Sequence, residues 1–386
     1  MAVQISVRGT RCGAGRVWVA ASATFEAVPS SCRWRGYLRL DQIGCTRMMG
    51  RHANGRWVAG AVMAPLVVSG LLVGCSPLAS TSSDGGVAAS RQTPGASATS
   101  SARISAPQGG GVVMPTGHQK FIAVSTDVGR LVVTKLTGAQ SGVTLRVWVW
   151  MPPQYDQPAY AHTAFPVLML YPGGSGAGYN TWAGQKYGAR EADAAGATRG
   201  TLTPFVFVMP EMQLSERLDT ECADVPGQPK IGTFLSADVR QMVQDNFRVI
   251  HDRMGWAAAG ASSGAYCASR LVFNHPDQYA AVVSISGYFS IETNLRGAND
   301  PLVRAQDPAA IAVAHPPQVS ALLWSGSRPG PDLSDARGFL AKVRPPTSAE
   351  LRILPGGRHL TSDFAKMMPA SLAWLTAHLA RPTPAP

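Results

Sequence analysis

Short apolar segments alternate with helical stretches over residues 118–381, and this alternation limits the possible fold more than any other feature. β-branched and aromatic residues favour strands at 121–124, 130–136, 144–151, 165–170, 204–209, 256–260, 280–286, 321–325 and 351–354. Helical patterns separate the later strands, at 184–196, 235–247, 264–275, 334–342 and 366–379. Strands without intervening helices are expected to be antiparallel, and strands joined through helices parallel. We predict one α/β domain whose mostly parallel central sheet has helices on both faces.

A serine stands where the strand at 256–260 meets a helix, in the sequence Gly260-Ala261-Ser262-Ser263-Gly264. This matches G-x-S-x-G, the pattern of a nucleophile elbow, in which a sharp turn exposes the serine at the carboxyl end of a strand. Glycine permits such a turn because it has no Cβ atom. We therefore predict Ser262 as a nucleophile. The backbone N–H of Ser263, at the start of the helix, is expected to be one donor of an oxyanion hole.

The second donor of an oxyanion hole comes from a loop after an earlier strand. The strand at 165–170 leads into Gly173, Gly174 and Ser175. Small residues let the backbone approach a substrate carbonyl closely. We expect either Gly174 or Ser175 to supply the donor, and the sequence does not choose between them.

A nucleophilic serine needs a general base, which in this chain order is a histidine near the C-terminus. His359 lies just past the last predicted strand, after a glycine-rich turn. His378 lies within the predicted terminal helix, and His315 precedes the strand that should lead to the acid. We therefore predict His359 as the base.

The acid of the triad should follow the strand at 321–325. Asp332 comes after the next loop and precedes a helix, from where it can face the His359 loop. Asp335 is the alternative, although an acidic residue in the first turn of a helix also has a structural explanation, because it interacts with the helix dipole. We predict Asp332 as the acid.

The formal charge of +11 raises the question of nucleic-acid binding. Residues 1–74 contain 9 of the 34 Lys and Arg residues, and the rest of the chain has no dense basic run. We therefore expect no nucleic-acid partner. No HExxH, paired CxxC or GxxxxGK[ST] pattern occurs, so we expect neither a metal nor a cofactor.

Residues 48–74 have the pattern of a secretory signal peptide, with arginines followed by an apolar run over 58–73 and a small residue before Cys75. Residues 72–75, Leu-Val-Gly-Cys, resemble a bacterial lipobox, in which the cysteine becomes lipidated. We predict a lipoprotein signal, with an ordinary signal peptide as the alternative.

The position of this signal peptide suggests what the segments before and after it are. Signals normally begin near the initiating methionine, so we expect residues 1–47 to be a mis-annotated upstream extension. The Ser-, Ala- and Gly-rich stretch 75–117 is expected to be a flexible, lipid-anchored linker. Cys222 and Cys267 remain in the exported domain, which suggests one disulfide, with two buried free thiols as the alternative.

Several of these segments together resemble the bacterial esterase family that includes esterase D (S-formylglutathione hydrolase), feruloyl and enterochelin esterases, and the mycolyltransferase antigens. The matching segments are 148–153 leading to 165–174, the elbow at Ser262, 274–277, 284–287, and 355–357 with His359. They cover most of the domain. The resemblance implies an α/β-hydrolase fold and ester chemistry at a Ser-His-Asp triad.

Residues 219–222, followed by 235–247, are similar to an actinobacterial branch of extracellular members. That similarity implies a Cys222–Cys267 disulfide beside the nucleophile. It also places Asp219 and Glu221 near the rim of the active site.

The chain departs from the family pattern at two positions. The family's acid commonly lies three residues after the glycine that ends its strand, where this chain has Pro329, and Asp332 comes later. The usual His-Gly before the oxyanion loop is replaced by Pro172-Gly173. Both departures concern the geometry of the site.

The sequence therefore predicts an exported serine esterase, anchored through Cys75 to the outer face of the cell membrane and acting on a small-molecule or cell-envelope ester. One alternative is an acyltransferase that moves an acyl group onto a cell-envelope carbohydrate with the same residues. Another is a catalytically inactive binding or envelope protein with this fold.

Overall fold

The computed structural model of the protein divides the chain into two units, Met1–Ala96 and Ser97–Pro386, which are described separately. It describes residues 2–12, 16–26 and 114–384. The predicted signal segment 48–74, Cys75 and most of the predicted linker lie outside these residues, and their roles stay predictions.

The first unit contains an antiparallel hairpin. Its strands are β1 (Ala2–Cys12) and β2 (Arg16–Glu26), with Ala2 opposite Glu26. The hairpin lies within residues 1–47, whose interpretation as an upstream extension also stays a prediction.

The second unit contains the remaining strands and the helices. The strands are β3 (Ile122–Val124), β4 (Arg130–Thr137), β5 (Thr144–Met151), β6 (Thr163–Ala164), β7 (Val167–Tyr171), β8 (Val206–Pro210), β9 (Trp256–Ala261), β10 (Ala281–Ile285), β11 (Ser320–Gly326), β12 (Ser348–Leu354) and β13 (Thr383–Pro384). The α-helices are α1 (Ala189–Thr198), α2 (Ile231–Thr233), α3 (Val239–Asn246), α4 (Ser263–Asn274), α5 (Pro301–Arg304), α6 (Pro308–Ala314), α7 (Pro331–Leu340) and α8 (Thr361–His378). Short 3-10 helices occur at Pro153–Asp156, Pro158–Tyr160, Thr181–Ala183 and Arg253–Gly255, and a π-helical turn at Phe234–Asp238.

Nine strands form one sheet in the order β12-β11-β10-β9-β7-β8-β5-β4-β3. Neighbours from β12 to β8 are parallel, whereas β5, β4 and β3 join as antiparallel strands. The prediction of antiparallel strands first and a mostly parallel sheet afterwards is confirmed. β6 and β13 form a separate antiparallel pair.

Helices cover both faces of the sheet, and β7 shows how the sequence produces this arrangement. Val167 and Met169 belong to a buried cluster that includes residues of α3, α4 and α7. Leu168 and Leu170 point to the other face, in a cluster that includes residues of α1 and α8. Because successive side chains of a strand alternate between faces, a strand that is buried on both sides needs apolar residues at every position.

The structure differs from the predicted elements mainly between β10 and β11, where α5 and α6 were not predicted. Each begins with a proline after an aspartate, and the Asp300 carboxylate caps α5 by accepting from the Leu302 N–H. Both helices are too short for a helical period to appear in the sequence. The helix predicted at 235–247 is confirmed, but its first turn is π-helical.

The parallel strands β7 to β12 all end at one edge of the sheet, so the loops that follow them lie on the same side of the domain. In sheets of this kind, ligand sites form at the carboxyl ends of the strands. Within the described residues, no helix has the combination of length and apolar character that a membrane span requires.

Candidate active site

Ser262 occupies the sharp turn between β9, an interior strand of the sheet, and α4. Its backbone has φ 57° and ψ −125°, a conformation that costs a non-glycine residue roughly 1–3 kcal/mol. Two contacts from neighbouring segments hold this turn in place. The Ser262 N–H donates to the carbonyl of Ile285 in β10, and the Ser262 carbonyl accepts from the N–H of Ala265 in the first turn of α4.

The two glycines of the elbow are required by close contacts between backbone segments. A Cβ atom on Gly260 would overlap the carbonyl of Gly264. One on Gly264 would overlap the carbonyls of Tyr171 and Pro172, at the end of β7. The G-x-S-x-G pattern therefore reflects the tight packing of β9, α4 and the β7 loop.

Ser262, His359 and Asp332 lie in one line of contacts. The Ser262 Oγ atom is 3.0 Å from His359 Nε2, and His359 Nδ1 is 2.8 Å from Asp332 Oδ2. With the proton on Nδ1 directed to Asp332, the Nε2 lone pair can accept the Ser262 hydroxyl proton. Asp335 lies one turn further along α7 and makes no hydrogen bond to the imidazole. His378 instead contacts the Trp374 carbonyl within α8.

Asp332 lies in the first turn of α7, after β11, whereas His359 lies in the loop after β12. Backbone contacts join the segments that follow these two strands. The Ser327 N–H donates to the Leu354 carbonyl at 3.0 Å, and the Arg328 N–H to the Gly357 carbonyl at 3.1 Å. A Cβ atom on Gly326 would overlap the Gly357 carbonyl, so the absence of a side chain permits this close approach.

The electrostatic environment suits an aspartate that orients a histidine. The hydrogen bond to Asp332 raises the pKa of His359 above its usual value, although burial acts in the opposite direction. Burial tends to raise the pKa of Asp332, but the hydrogen bond and charge of His359 outweigh it, and the pKa of Asp332 is lowered. The pair therefore favours a charged carboxylate beside a basic imidazole.

Ser286 is a residue near this pair to which the sequence did not assign a role. It follows β10, has φ 50°, and its buried hydroxyl makes no hydrogen bond of good geometry to a described residue. It is nevertheless near enough to the carboxyl of Asp332 to contribute to its lowered pKa. The sequence offered one signal for Ser286: it lies within segment 284–287, one of the segments that resemble the esterase family.

The glycine-rich loop after β7 lies directly against the elbow. A methyl group on Gly173 would be 3.4 Å from the Ser262 Cβ atom. The Ser263 hydroxyl donates to the carbonyl of Gly174 at 2.7 Å. The structure thus brings Gly174, one of the two predicted loop donors, into contact with the elbow, while the roles of Ser263, Gly174 and Ser175 as oxyanion-hole donors stay predictions.

Buried side chains hold the later part of the loop after β7, around residues 180–182. The Asn180 side-chain amide donates to the carbonyls of Leu170 and Pro210, both at 2.8 Å, and the Trp182 indole donates to the Tyr171 carbonyl at 2.8 Å. These bonds connect the loop to the ends of β7 and β8. These bonds help to hold the loop in a chain where Pro172-Gly173 replaces the family's usual His-Gly.

A disulfide between Cys222 and Cys267 attaches the loop before α2 to α4. The neighbouring Glu221 is buried, which raises the pKa of its carboxyl group. Glu221 accepts hydrogen bonds from the Tyr288 hydroxyl and from the N–H groups of Glu292 and Thr293. These contacts hold the loop that follows β10 and Ser286.

A mostly parallel sheet with helices on both faces and a strained serine turn after β9, an interior parallel strand, define the protein as an α/β-hydrolase. A family model described as "Putative esterase" matches residues 139–353, more than half of the chain. The protein belongs to this esterase family, and the resemblance inferred from the sequence is confirmed.

An uncharacterized protein of Corynebacterium glutamicum is 32% identical over 167 residues, which are 42% of this chain and 38% of that protein. The match thus spans less than two fifths of the relative's length.

Two solved structures share the fold with a TM-score of 0.55. One is a ferulic acid esterase, 18% identical, with 66% of this chain and 100% of that chain covered. The other is an S-formylglutathione hydrolase from Agrobacterium tumefaciens, 14% identical, with 67% and 99% covered. A fluorophosphonate-binding serine hydrolase of Staphylococcus aureus is 16% identical, with a TM-score of 0.51 and 64% and 99% covered.

Proposed function

We propose that the protein is a serine esterase that hydrolyses carboxylic esters through an acyl-enzyme on Ser262. The observation that supports this most directly is the unbroken line of contacts from Ser262 Oγ through both nitrogens of His359 to Asp332. Membership of the esterase family supports the type of bond that is cleaved.

Acylation begins when the Ser262 oxygen attacks the ester carbonyl and His359 Nε2 takes its proton. Asp332 stabilises the imidazolium that forms, and backbone N–H groups of the oxyanion hole stabilise the negative oxygen. As the tetrahedral intermediate collapses, the bond to the alcohol breaks and His359 donates its proton to the leaving alcohol. The acyl group then remains on Ser262.

Deacylation repeats these steps with water as the nucleophile. His359 removes a proton from water, which attacks the acyl carbonyl, and the acid leaves as the proton returns to Ser262. The His359 side chain is 47% exposed, so water can reach it. An acyltransferase would use the same residues with a carbohydrate hydroxyl in place of water. A sugar that increases ester turnover and appears acylated would favour that alternative.

The decisive test is labelling of the full chain with a fluorophosphonate probe, followed by peptide mass spectrometry. We expect the label on Ser262, and Ser262→Ala should lose both the label and the hydrolysis of p-nitrophenyl esters. Ser269→Ala, which removes another serine hydroxyl from α4, serves as the control. A folded wild-type protein that neither reacts with the probe nor cleaves esters would favour an inactive binding protein.

We further propose that the esterase domain, residues 118–381, is exported as a lipoprotein. The signal pattern at 48–74, the lipobox cysteine Cys75 and the Cys222–Cys267 disulfide support this location. Mass spectrometry of the mature protein should find a lipidated N-terminal Cys75 and no peptide from residues 1–74. Cys75→Ala should release the protein from membranes, whereas an unmodified N-terminus upstream of residue 48 would contradict both lipidation and the proposed start.

A further inference from the structure

The side chain that follows the nucleophile makes a contact that is not required by the G-x-S-x-G pattern. Only the backbone N–H at this position takes part in an oxyanion hole, so the pattern leaves its side chain free to vary. Here the side chain is Ser263, and its hydroxyl donates to the carbonyl of Gly174 at 2.7 Å. The contact joins residues 89 positions apart, one on each side of the site where an oxyanion would lie.

The direction of this hydrogen bond determines which N–H groups can face the site. A trans peptide directs its C=O and N–H to opposite sides, and the only cis peptide in the described residues is Pro345-Pro346. Because the Gly174 carbonyl points at the Ser263 hydroxyl, the N–H of Ser175 in the same peptide points away from it. The Ser175 N–H, like that of Gly174, donates to no described residue, so the orientation of the peptide distinguishes the two, and we infer that the preceding N–H, that of Gly174, is the second donor.

Both N–H groups of the resulting pair are free to act. Neither the Gly174 N–H nor the Ser263 N–H donates to any described residue. The Ser263 N–H is the first of α4 and has no acceptor within its helix, as expected at a helix N-terminus. Two unpaired donors beside a nucleophile are what an oxyanion hole requires.

The segment around Gly174 is able to change conformation, although the same loop is held further along by Asn180 and Trp182. Gly174 is exposed, has φ +77°, and a Cβ atom there would meet nothing within 4 Å. Gly173 and Gly176 flank it, and glycine places few limits on rotation of the intervening peptides. A hydrogen bond to the Gly174 carbonyl is therefore needed to keep this peptide in one orientation.

We propose that the Ser263 hydroxyl is a positioning group for the oxyanion hole. By binding the Gly174 carbonyl it orients the loop so that the N–H of Gly174, and not that of Ser175, joins the N–H of Ser263. The proposal rests on the proposed esterase activity at Ser262. It assigns to one residue two roles, a backbone donor and a side chain that aligns the second donor.

The test compares Ser263→Ala, which removes the hydroxyl, with Ser263→Thr, which retains it. Loss of one oxyanion donor lowers kcat by about 100- to 1,000-fold, and a donor that remains but loses its alignment should cost about 10-fold. We expect Ser263→Ala to lower kcat on p-nitrophenyl acetate by about 10-fold with little change in KM, and Ser263→Thr to restore most of it.

Ser269→Ala is the matched control, because it also removes an α4 hydroxyl that donates to a backbone carbonyl, that of Ala265. Its kcat should stay near that of the wild type, which would separate alignment from helix stability. Ser263→Ala with wild-type kcat, or Ser263→Thr no faster than Ser263→Ala, would overturn the proposal. Loss of activity in Ser262→Ala alongside either result would leave the proposed function standing.

Discussion

The proposed nucleophile and its proposed acid–base partners are held in place by different means. Ser262 lies in a turn of five consecutive residues, at which a strained backbone is enclosed by contacts that exclude any Cβ atom on Gly260 or Gly264. Asp332 lies in the first turn of α7 and His359 in the loop after β12, and the segments after β11 and β12 meet through a few backbone hydrogen bonds. The Asp332 side chain is 16% exposed and that of His359 47%.

The elbow is defined by local contacts, whereas the pair of Asp332 and His359 is assembled from segments distant in the chain. The elbow depends on close packing, so its two glycines tolerate almost no change and its motif is visible in five letters. The pair depends on how α7 and the loop after β12 approach each other, so many sequences can produce the same contact. We therefore expect substitutions of the elbow glycines to affect mainly folding, and substitutions of Asp332 or His359 to affect mainly catalysis.

The largest effect on catalysis, after loss of the nucleophile, should come from Asp332→Asn. An amide at this position would donate to His359 Nδ1 and favour the tautomer that cannot accept the Ser262 proton. We expect kcat to fall by about 1,000- to 10,000-fold with little change in Tm. Asp335→Asn is the control and should change kcat by less than about threefold. An equal loss in both variants would contradict Asp332 as the acid.

Substitution of an elbow glycine should lower the stability of the protein. Gly264→Ala places a methyl group against the Tyr171 and Pro172 carbonyls, which cannot move without displacing β7. We expect the free energy of unfolding to fall by about 3 kcal/mol or more, measured by urea denaturation. The matched control is Gly338→Ala in α7, where a Cβ atom meets nothing within 4 Å. A stable and active Gly264→Ala variant would show that the elbow is less tightly packed than described.

Removing the Cys222–Cys267 disulfide should lower the stability by a similar or slightly smaller amount. This disulfide ties α4, the helix that follows the elbow serine, to the loop before α2. Cys222 and Cys267 are 45 residues apart, and closing a loop of this length stabilises a domain by about 2–4 kcal/mol. We expect Cys222→Ala/Cys267→Ala to lose about this much stability while keeping most of its kcat. If kcat falls as steeply as in Asp332→Asn, the disulfide is holding the catalytic geometry as well as the fold.

The smallest effect should be a shift in the pH dependence of catalysis. The base must be neutral to accept the Ser262 proton, so kcat/KM should fall as pH drops through the pKa of His359. Because the hydrogen bond to Asp332 raises the pKa of His359 above the usual value for histidine, we expect the midpoint of the acidic limb at a higher pH than a free imidazole would give. In Asp332→Ala the midpoint should move to lower pH. An unchanged midpoint would indicate that another group controls the limb.

Much of the fold followed from the sequence, because most strands and helices have strong local patterns. Strands buried on both faces, such as β7 and β9, are almost continuously apolar, and α4 and α8 are long enough to be recognised. The short helices α5 and α6 were missed because one or two turns leave no measurable period. Their position depends instead on the packing of the segment between β10 and β11.

The sequence by itself determined the position of the elbow, since its glycines and serine are consecutive and their requirement is steric and local. It also placed a histidine after the last strand, because chain order is a property of the sequence. Only the tertiary structure decided that Asp332 and not Asp335 faces His359, and that Ser286 lies beside that carboxyl. It also revealed the bond between the Ser263 hydroxyl and Gly174, 89 residues earlier. These contacts join segments distant in the chain, and they depend on loop conformations that no local pattern specifies.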